Sequence, residues 1–334
     1  MTTTDQPLLP VLADTGSVLR REALACGFSQ EEIQRLVDHG AWVRIRRGAY
    51  ALGDVWRSMN AERRHVVTAR AVVRSLDGTA VLGHTSAAIA HGLPVWGVDL
   101  SSVHVVRGLS RHGSRREAGV VHHVSQLPDG HITEIDGVQV TTAARTVVDL
   151  ARTVGFEPAV ATMDAALHAG LVTPDDLLEL LTWQLDWPGS RAAGRAVAFA
   201  DGRAESVAES RGRVRMAEAG LPTPDLQVNI HDDTGQLVGR GDMVFREQHT
   251  IGECDGRLKY RAATAGCRIE DVLWEEKRRE DALRALGWEV VRFTWADLER
   301  SPAWLRQMFL AAFARASGRP APSGFTRATG LTVG

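Results

Sequence analysis

The chain has 334 residues, 44% hydrophobic and 24% charged, which is the composition of a folded protein long enough for two or three domains. A mean hydropathy of -0.13 argues against a membrane span; an opening MTTTDQPLLP without a secretory plan, and only three scattered cysteines (Cys26, Cys254, Cys267), point to a cytoplasmic protein without a disulfide scaffold. A net charge of -2 gives no global pull toward nucleic acid, so such affinity has to come from local patches.

Residues 1–58 read as a winged helix-turn-helix DNA-binding domain. A helical stretch runs from Ser17 to Ala25 and stops at Gly27. Ser29-Gln30-Glu31-Glu32 has the form of a capping box and opens a helix from Gln30 to His39. Ile33, Leu36 and Val37 share one face of it, while Gln34, Arg35 and Asp38 point elsewhere. Residues 41–52 alternate as a strand, turn near Gly48 and continue. The period places Val43 and Ile45 inward, Arg44 and Arg46 outward. Residues 41–70 hold seven arginines against Asp54 and Glu62, a local charge of +5. The helix suits the major groove, with Gln34 and Arg35 reading bases. The wing arginines Arg44, Arg46 and Arg47 suit phosphates.

Residues 59–186 read as an α+β middle domain. A helix covers Ala61–Leu76, and a turn leads from Val81 into a short helix ended by Gly92. Strands are expected at Val103–Arg107, Val120–Val124 and Val138–Val140. Thr142 is placed to cap a helix running through Arg152; further helices cover Pro158–Ala169 and start at Pro174. His104, His112, His122, His123 and His131 invite a metal reading, but their spacing matches no ligand pattern. Adjacent His122 and His123 point to opposite faces of a strand. They read as surface or core histidines. Residues 187–203 are a helix or ordered linker, 204–316 a third domain, and 317–334 a flexible tail.

Residues 204–316 carry the strongest pattern. Glu205, Glu209 and Arg213 form an i, i+4, i+8 row on a helix. Strands follow at Leu226–Ile230, Leu237–Phe245 and Thr250–Asp255. A hairpin between the last two pairs residues whose numbers sum to 495, so Asp242 faces Glu253, with Asp255 on the same face. Like charges opposed in a sheet destabilise it. Mg2+ or Mn2+ is the partner that such an oxygen-rich set suits, and it can activate a water. Among 39 basic residues only Lys259 and Lys277 are lysine. Their retention fits either a proton-sharing role, which a guanidinium cannot fill, or a plain solvated surface.

This third region resembles the PD-(D/E)XK nuclease superfamily, in its very-short-patch-repair-like branch. A helix Glu precedes an Asp on one strand and the run Glu253-Cys254-Asp255-Gly256-Arg257-Leu258-Lys259-Tyr260, similar to the family's E-x-D-G-x-x-K-Y; a helix and a last strand follow, Glu275–Phe293. The resemblance implies an α/β domain with a mixed sheet, in which Asp242 and Glu253 bind metal with Asp255 beside them and Glu209 assists from the helix. Asp255 stands where the superfamily usually has lysine, so the lysine's work falls to Lys259 or Lys277, or is absent. The front of the chain resembles the AbiEi antitoxins, through Val43–Tyr50 and Thr141–Ala151. That implies DNA binding, often autoregulatory, in phage defence, with a cognate toxin as partner. The first reading is a metal-dependent deoxyribonuclease delivered by a winged helix; the alternative is a non-catalytic regulator of antitoxin type with an inactive nuclease fold. A bare interaction module is a third, weaker reading.

Overall fold

The computed structural model describes residues 15–109, 113–255 and 269–328. Within them the chain is α+β, with mixed sheets. It divides into two compact units, residues 1–154 with 175–194, and 155–174 with 195–334.

The first unit begins with β1 (Val18–Leu19), α1 (Arg20–Ala25) and α2 (Gln30–Asp38). The capping box forms at its predicted place: Ser29 Oγ accepts from the Glu32 N–H at 3.1 Å, and the Glu32 carboxylate accepts from the Ser29 N–H at 2.8 Å. β2 (Trp42–Arg46) and β3 (Ala49–Leu52) make an antiparallel hairpin. β1 pairs with the far side of β3, giving the order β1-β3-β2. The helix expected from Ser17 therefore starts later, because Val18 and Leu19 are both buried as a strand against Tyr50 and Ala49. Trp42, between Phe28 and Tyr50, closes a small core with Ile33. Two helices, a tight turn and a hairpin give the element order of a winged helix-turn-helix.

The rest of this unit contains α3 (Gly53–Ser58), α4 (Ala61–Ser75), β4 (Val81–Leu82), α5 (His84–Ala90), β5 (Val103–Arg107), β6 (Arg115–Glu117), β7 (Val120–Val124), β8 (Ile132–Ile135), β9 (Val138–Thr141) and α6 (Ala143–Ala151). The six strands form one mixed sheet, ordered β6-β7-β5-β4-β9-β8. Val72, Leu82, Val105 and Val140 are central to its core. The Thr141–Ala151 segment is built into this interior. Thr142 gives no side-chain cap; instead the Thr141 and Thr146 hydroxyls bond at 2.6 Å. Arg145 is fully buried, bonds Asp149 at 2.5 Å and Ser125 Oγ at 3.0 Å, and stacks over Trp183 and Trp187. Asp149 accepts further bonds from Arg152 and Gln184, at 2.8 and 3.0 Å.

Residues 59–186 contribute to both units. α7 (Phe156–His168) belongs to the second unit, while α8 (Pro174–Trp183) lies almost wholly in the first, and α9 (Ser190–Phe199) fills the expected helical linker. α10 (Val207–Glu218) accounts for the division, since its Arg213 and Arg211 reach Asp164 and Glu157 of α7, each at 2.7 Å. Glu205 precedes this helix, so the expected row on one helical face starts only at Glu209.

The second unit continues with β10 (Asp225–His231), β11 (Leu237–Phe245), β12 (Thr250–Asp255), α11 (Ile269–Ala285), β13 (Glu289–Thr294), α12 (Trp295–Leu298), α13 (Pro302–Ser317) and β14 (Phe325–Ala328). The sheet order is β13-β12-β11-β10-β14, with β12 and β13 parallel and the other pairs antiparallel. Met216, Met243, Phe245, Phe293 and Phe309 form the core on the α10 and α13 side. Val228, Ile230, Val244, Ile251 and Leu283 form it on the α11 side. Gly212 lets α10 approach the sheet: a Cβ there would lie 3.0 Å from Met243 Cε and from Phe293 Cζ. The expected flexible tail is corrected in part. Residues 325–328 pair with β10, where Phe325 stacks on His231 and Thr326 bonds Arg246. An open strand edge presents unpaired backbone groups and so templates another strand.

Candidate functional site

Gln34 and Arg35 are exposed on α2, and Gln34 Nε2 donates to Asp38 Oδ1 at 2.7 Å. Arg44 and Arg47 are exposed on the hairpin. Arg46 departs from the expected outward row. A register slip between Arg44 and Arg46 sets Arg44 opposite Tyr50 and Arg46 opposite Ala49, the effect of a bulge. Arg46 is half-buried, and its Nη1 is buried without a hydrogen-bond partner. Burial lowers its pKa from the usual arginine value. It lines a groove of about 430 Å³ with Trp56, Arg64, His65 and Val72. A smaller recess beside it adds Arg107, Arg115 and His122.

The carboxylates of the second unit lie on β11 and β12. Met243 pairs with Gly252, Val244 with Ile251 and Phe245 with Thr250, so the 495 sum describes this ladder. Asp242 and Glu253 are the residues just beyond the last paired step, and Asp242 Oδ2 accepts from the Cys254 N–H at 3.3 Å. Alternation places both on the α11 side with Val244 and Ile251. Glu253 is buried and accepts from Arg279 of α11 at 3.0 Å. Its second oxygen lies 3.5 Å from Arg292 of β13, which also reaches Glu276 and Glu280 at 3.2 and 2.9 Å. Burial pushes the Glu253 carboxyl above its ordinary range, opposed by Arg279 and Arg292 and assisted by Asp242 and Glu280. The patch therefore alternates sign, with arginines supplying positive charge between the acids.

Those two arginines are what sequence reasoning missed. Their signals are present in retrospect: Arg292 is the parallel-register neighbour of Glu253, and Arg279 lies one helical turn beyond Glu276. Glu209 serves the start of α10. Its carboxylate accepts from Ser206 Oγ at 2.7 Å, the Glu205 N–H at 3.0 Å and Gln227 Nε2 at 2.8 Å. Lys277 is an exposed side chain of α11. Asp255 ends β12 as the register neighbour of Thr294, and Lys259 lies outside the described residues.

The middle-domain histidines separate into different environments. His131 packs its edge on Trp183 and bonds Arg145, His122 lines the Arg46 recess, and His112 lies outside the described residues. His104 and His123 meet His84, a third histidine that sequence reasoning had not grouped with them. One donor atom from each lies within 4.8 Å of the others, the one such group of three or more His, Cys, Asp or Glu among the described residues.

These elements define an α+β protein with a winged-helix-ordered front and a second unit built on a mixed five-stranded sheet. No helix among the described residues is long and apolar enough to cross a membrane. Residues 6–53 match the family model of the AbiEi antitoxin transcriptional regulators, and residues 57–195 match that of the AbiEi antitoxin C-terminal domain. The front of the chain is thus similar to the AbiEi antitoxins over both of these segments. Two relatives from strains of Mycobacterium tuberculosis, the uncharacterised proteins Rv2248 and MT2308, are each 27% identical over 277 residues, covering 83% of this chain and 94% of theirs. The crystal structure of the RV2827C protein from Mycobacterium tuberculosis superposes at a TM-score of 0.39 and 14% identity, over 68% of this chain and 84% of that one.

Proposed function

We propose that the chain is a DNA-binding transcriptional regulator of AbiEi antitoxin type, paired with a cognate toxin, whose second unit is a PD-(D/E)XK-like fold serving as scaffold. The observation that carries this reading is the exposed set Gln34, Arg35, Arg44 and Arg47 on α2 and its hairpin, within the segment that matches the regulator model. α2 lies in the major groove with Gln34 and Arg35 at base edges, while Arg44 and Arg47 hold phosphates and set the orientation. The test is fluorescence anisotropy of the full chain on a duplex from its own upstream region against a scrambled duplex. Tighter binding to the upstream duplex, keeping its margin as salt rises, is expected. Equal affinity at every salt concentration overturns regulation by sequence.

A second reading, a metal-dependent deoxyribonuclease, is favoured by one observation: α10, three antiparallel strands, α11 and a parallel β13 follow the superfamily's order, with Asp242 and Glu253 on adjacent strands. In it Asp242, Glu253 and Asp255 hold Mg2+ or Mn2+, with Glu209 and Lys259 or Lys277 assisting. The described donors do not fit that ion well. Arg279 and Arg292 already neutralise Glu253, which a divalent cation would have to do, so no hydrolytic step follows from this geometry. Incubation with plasmid, linear and single-stranded DNA in Mg2+, Mn2+ or EDTA separates the readings. EDTA-sensitive cleavage that Asp242→Ala and Glu253→Ala abolish would replace the scaffold role with a catalytic one.

A further inference from the structure

We propose that His84, His104 and His123 form a binding site for one divalent transition-metal ion of the zinc type. His84 opens α5; His104 and His123 lie on the parallel neighbours β5 and β7. In that register His104 pairs with Val121 and Val106 with His123, so the two rings sit diagonally on one face of the sheet. His104 Nδ1 lies 3.0 Å from His123 Nε2. The His84 ring stacks on His123 at 3.6 Å and lies 5.8 Å from His104. A tetrahedral zinc ion with nitrogens at about 2.0–2.1 Å spaces its ligand atoms roughly 3.3 Å apart. The spread of 4.8 Å closes to that by ring rotation about χ2, which is a soft torsion.

Two further features prepare the site. His84 has φ +49, the left-handed region that a residue with a side chain rarely enters, and such strain concentrates at ligand-binding positions. Gly83 before it admits the close approach to β5: a Cβ there would lie 2.4 Å from Val106 Cγ2. All three rings are also held neutral, the form in which imidazole binds a metal. Burial does most of this, bringing His104 and His123 to about 4 and His84 well below its ordinary value. Arg145 and Arg152 act in the same direction at His84, and Arg116 does so at His104; Asp149, which bonds Arg145 and Arg152, opposes at His123, and Asp99 opposes at His104.

An all-imidazole set selects zinc, cobalt, nickel or copper over magnesium, which prefers oxygen. Three ligands leave a fourth position open, and Thr153 Oγ1 lies 3.4 Å from His84 Nδ1 beside it. A bound ion would tie α5 to β5 and β7 in the part of the chain that matches the antitoxin C-terminal model.

The test is calorimetric titration of the EDTA-stripped full chain with Zn2+, and with Mg2+ as the contrast. One equivalent of Zn2+ is expected, with affinity falling by about 100-fold in His104→Ala and His123→Gln. His122→Gln, facing the opposite side of β7, retains wild-type affinity. Zinc bound equally by the wild type and a His104→Ala/His123→Gln double variant, or no zinc bound at all, overturns the proposal. Cobalt decides the same point without any substitution. Intense visible bands of a four-coordinate ion support the site, and the weak spectrum of an octahedral, water-bound ion overturns it.

Discussion

Glu253 of β12 and Arg292 of β13 are register neighbours in the parallel pair, and the guanidinium lies 3.5 Å from the carboxylate while also reaching Glu276 and Glu280 of α11. One arginine thus serves acids from a strand and a helix. Arg292→Leu leaves Glu253 to Arg279 and sets Glu276 and Glu280 against each other. Removing one partner of a buried pair costs about 3–5 kcal/mol, but Arg292 remains partly open to water, which screens the loss. The expected destabilisation is about 1–3 kcal/mol, read from urea unfolding at neutral pH. Unchanged unfolding would mean that Arg292 is not what balances these acids.

The wing arginines should divide into two kinds. Arg44→Ala and Arg47→Ala each lower the slope of log affinity against log salt by about 0.9 for every phosphate that the side chain neutralises in the wild type. Arg46→Met leaves that slope alone and folds at least as stably as the wild type, because it removes a buried, unbonded guanidinium nitrogen. A slope change in Arg46→Met equal to that in Arg44→Ala would put Arg46 on the phosphate backbone.

Gln34→Ala and Arg35→Ala act on choice between sequences. Removing a bidentate hydrogen-bonded pair to a base costs roughly 1–3 kcal/mol of discrimination. Competition between duplexes differing at single base pairs measures it. Equal weakening on every duplex would move these residues to the phosphate backbone.

Asp149 is bonded to Arg145, Arg152 and Gln184 and is almost completely buried. Asp149→Ala strands a fully buried guanidinium and should cost about 3–5 kcal/mol. The expected readout is a large drop in the unfolding midpoint of the first unit. A change within about 0.5 kcal/mol, typical of surface sites, would contradict the network's role.

Asp164 links stability of the second unit to pH. Burial raises its pKa to about 6, against the pull of Arg213, the Asp201 backbone, Ser210 and the Arg213 hydrogen bond. Between the unfolded value near 4 and that folded value, the native chain binds the proton more tightly than the unfolded chain. Stability therefore falls as pH rises through this window, by at most about 3 kcal/mol, and levels off above it. Asp164→Asn should flatten that part of the profile relative to wild type, in urea unfolding from about pH 4 to 7. A parallel profile in both proteins would show that Asp164 ionises normally.

The features legible in the sequence are those set by short spacing. Ser29 and Glu32 are three residues apart, and their reciprocal bonds need nothing beyond the first turn of α2. The pairing of β11 with β12 follows from the short turn between them and from alternation, so Asp242 and Glu253 could be placed beside one another from numbering alone. Thr141–Ala151 was legible as a signature, but not as the seat of a buried ion network, because Trp183, Trp187 and Gln184 arrive from more than thirty residues away.

What the sequence by itself determined was the starts of α2, α4 and α8, most strand runs, the 495 register and the basic character of the wing. Tertiary structure decided which charges meet. Arg292 reaches Glu253 only through a parallel pairing across α11, and His84 joins His104 and His123 only once β5 and β7 lie side by side under α5. A single extra residue at the bulge redirected Arg46, against an alternation that Arg44 obeys. The physical reason is range. Helical and strand periods act over two to four residues, whereas burial, partner charge and ligand geometry depend on chain segments whose approach no local pattern specifies.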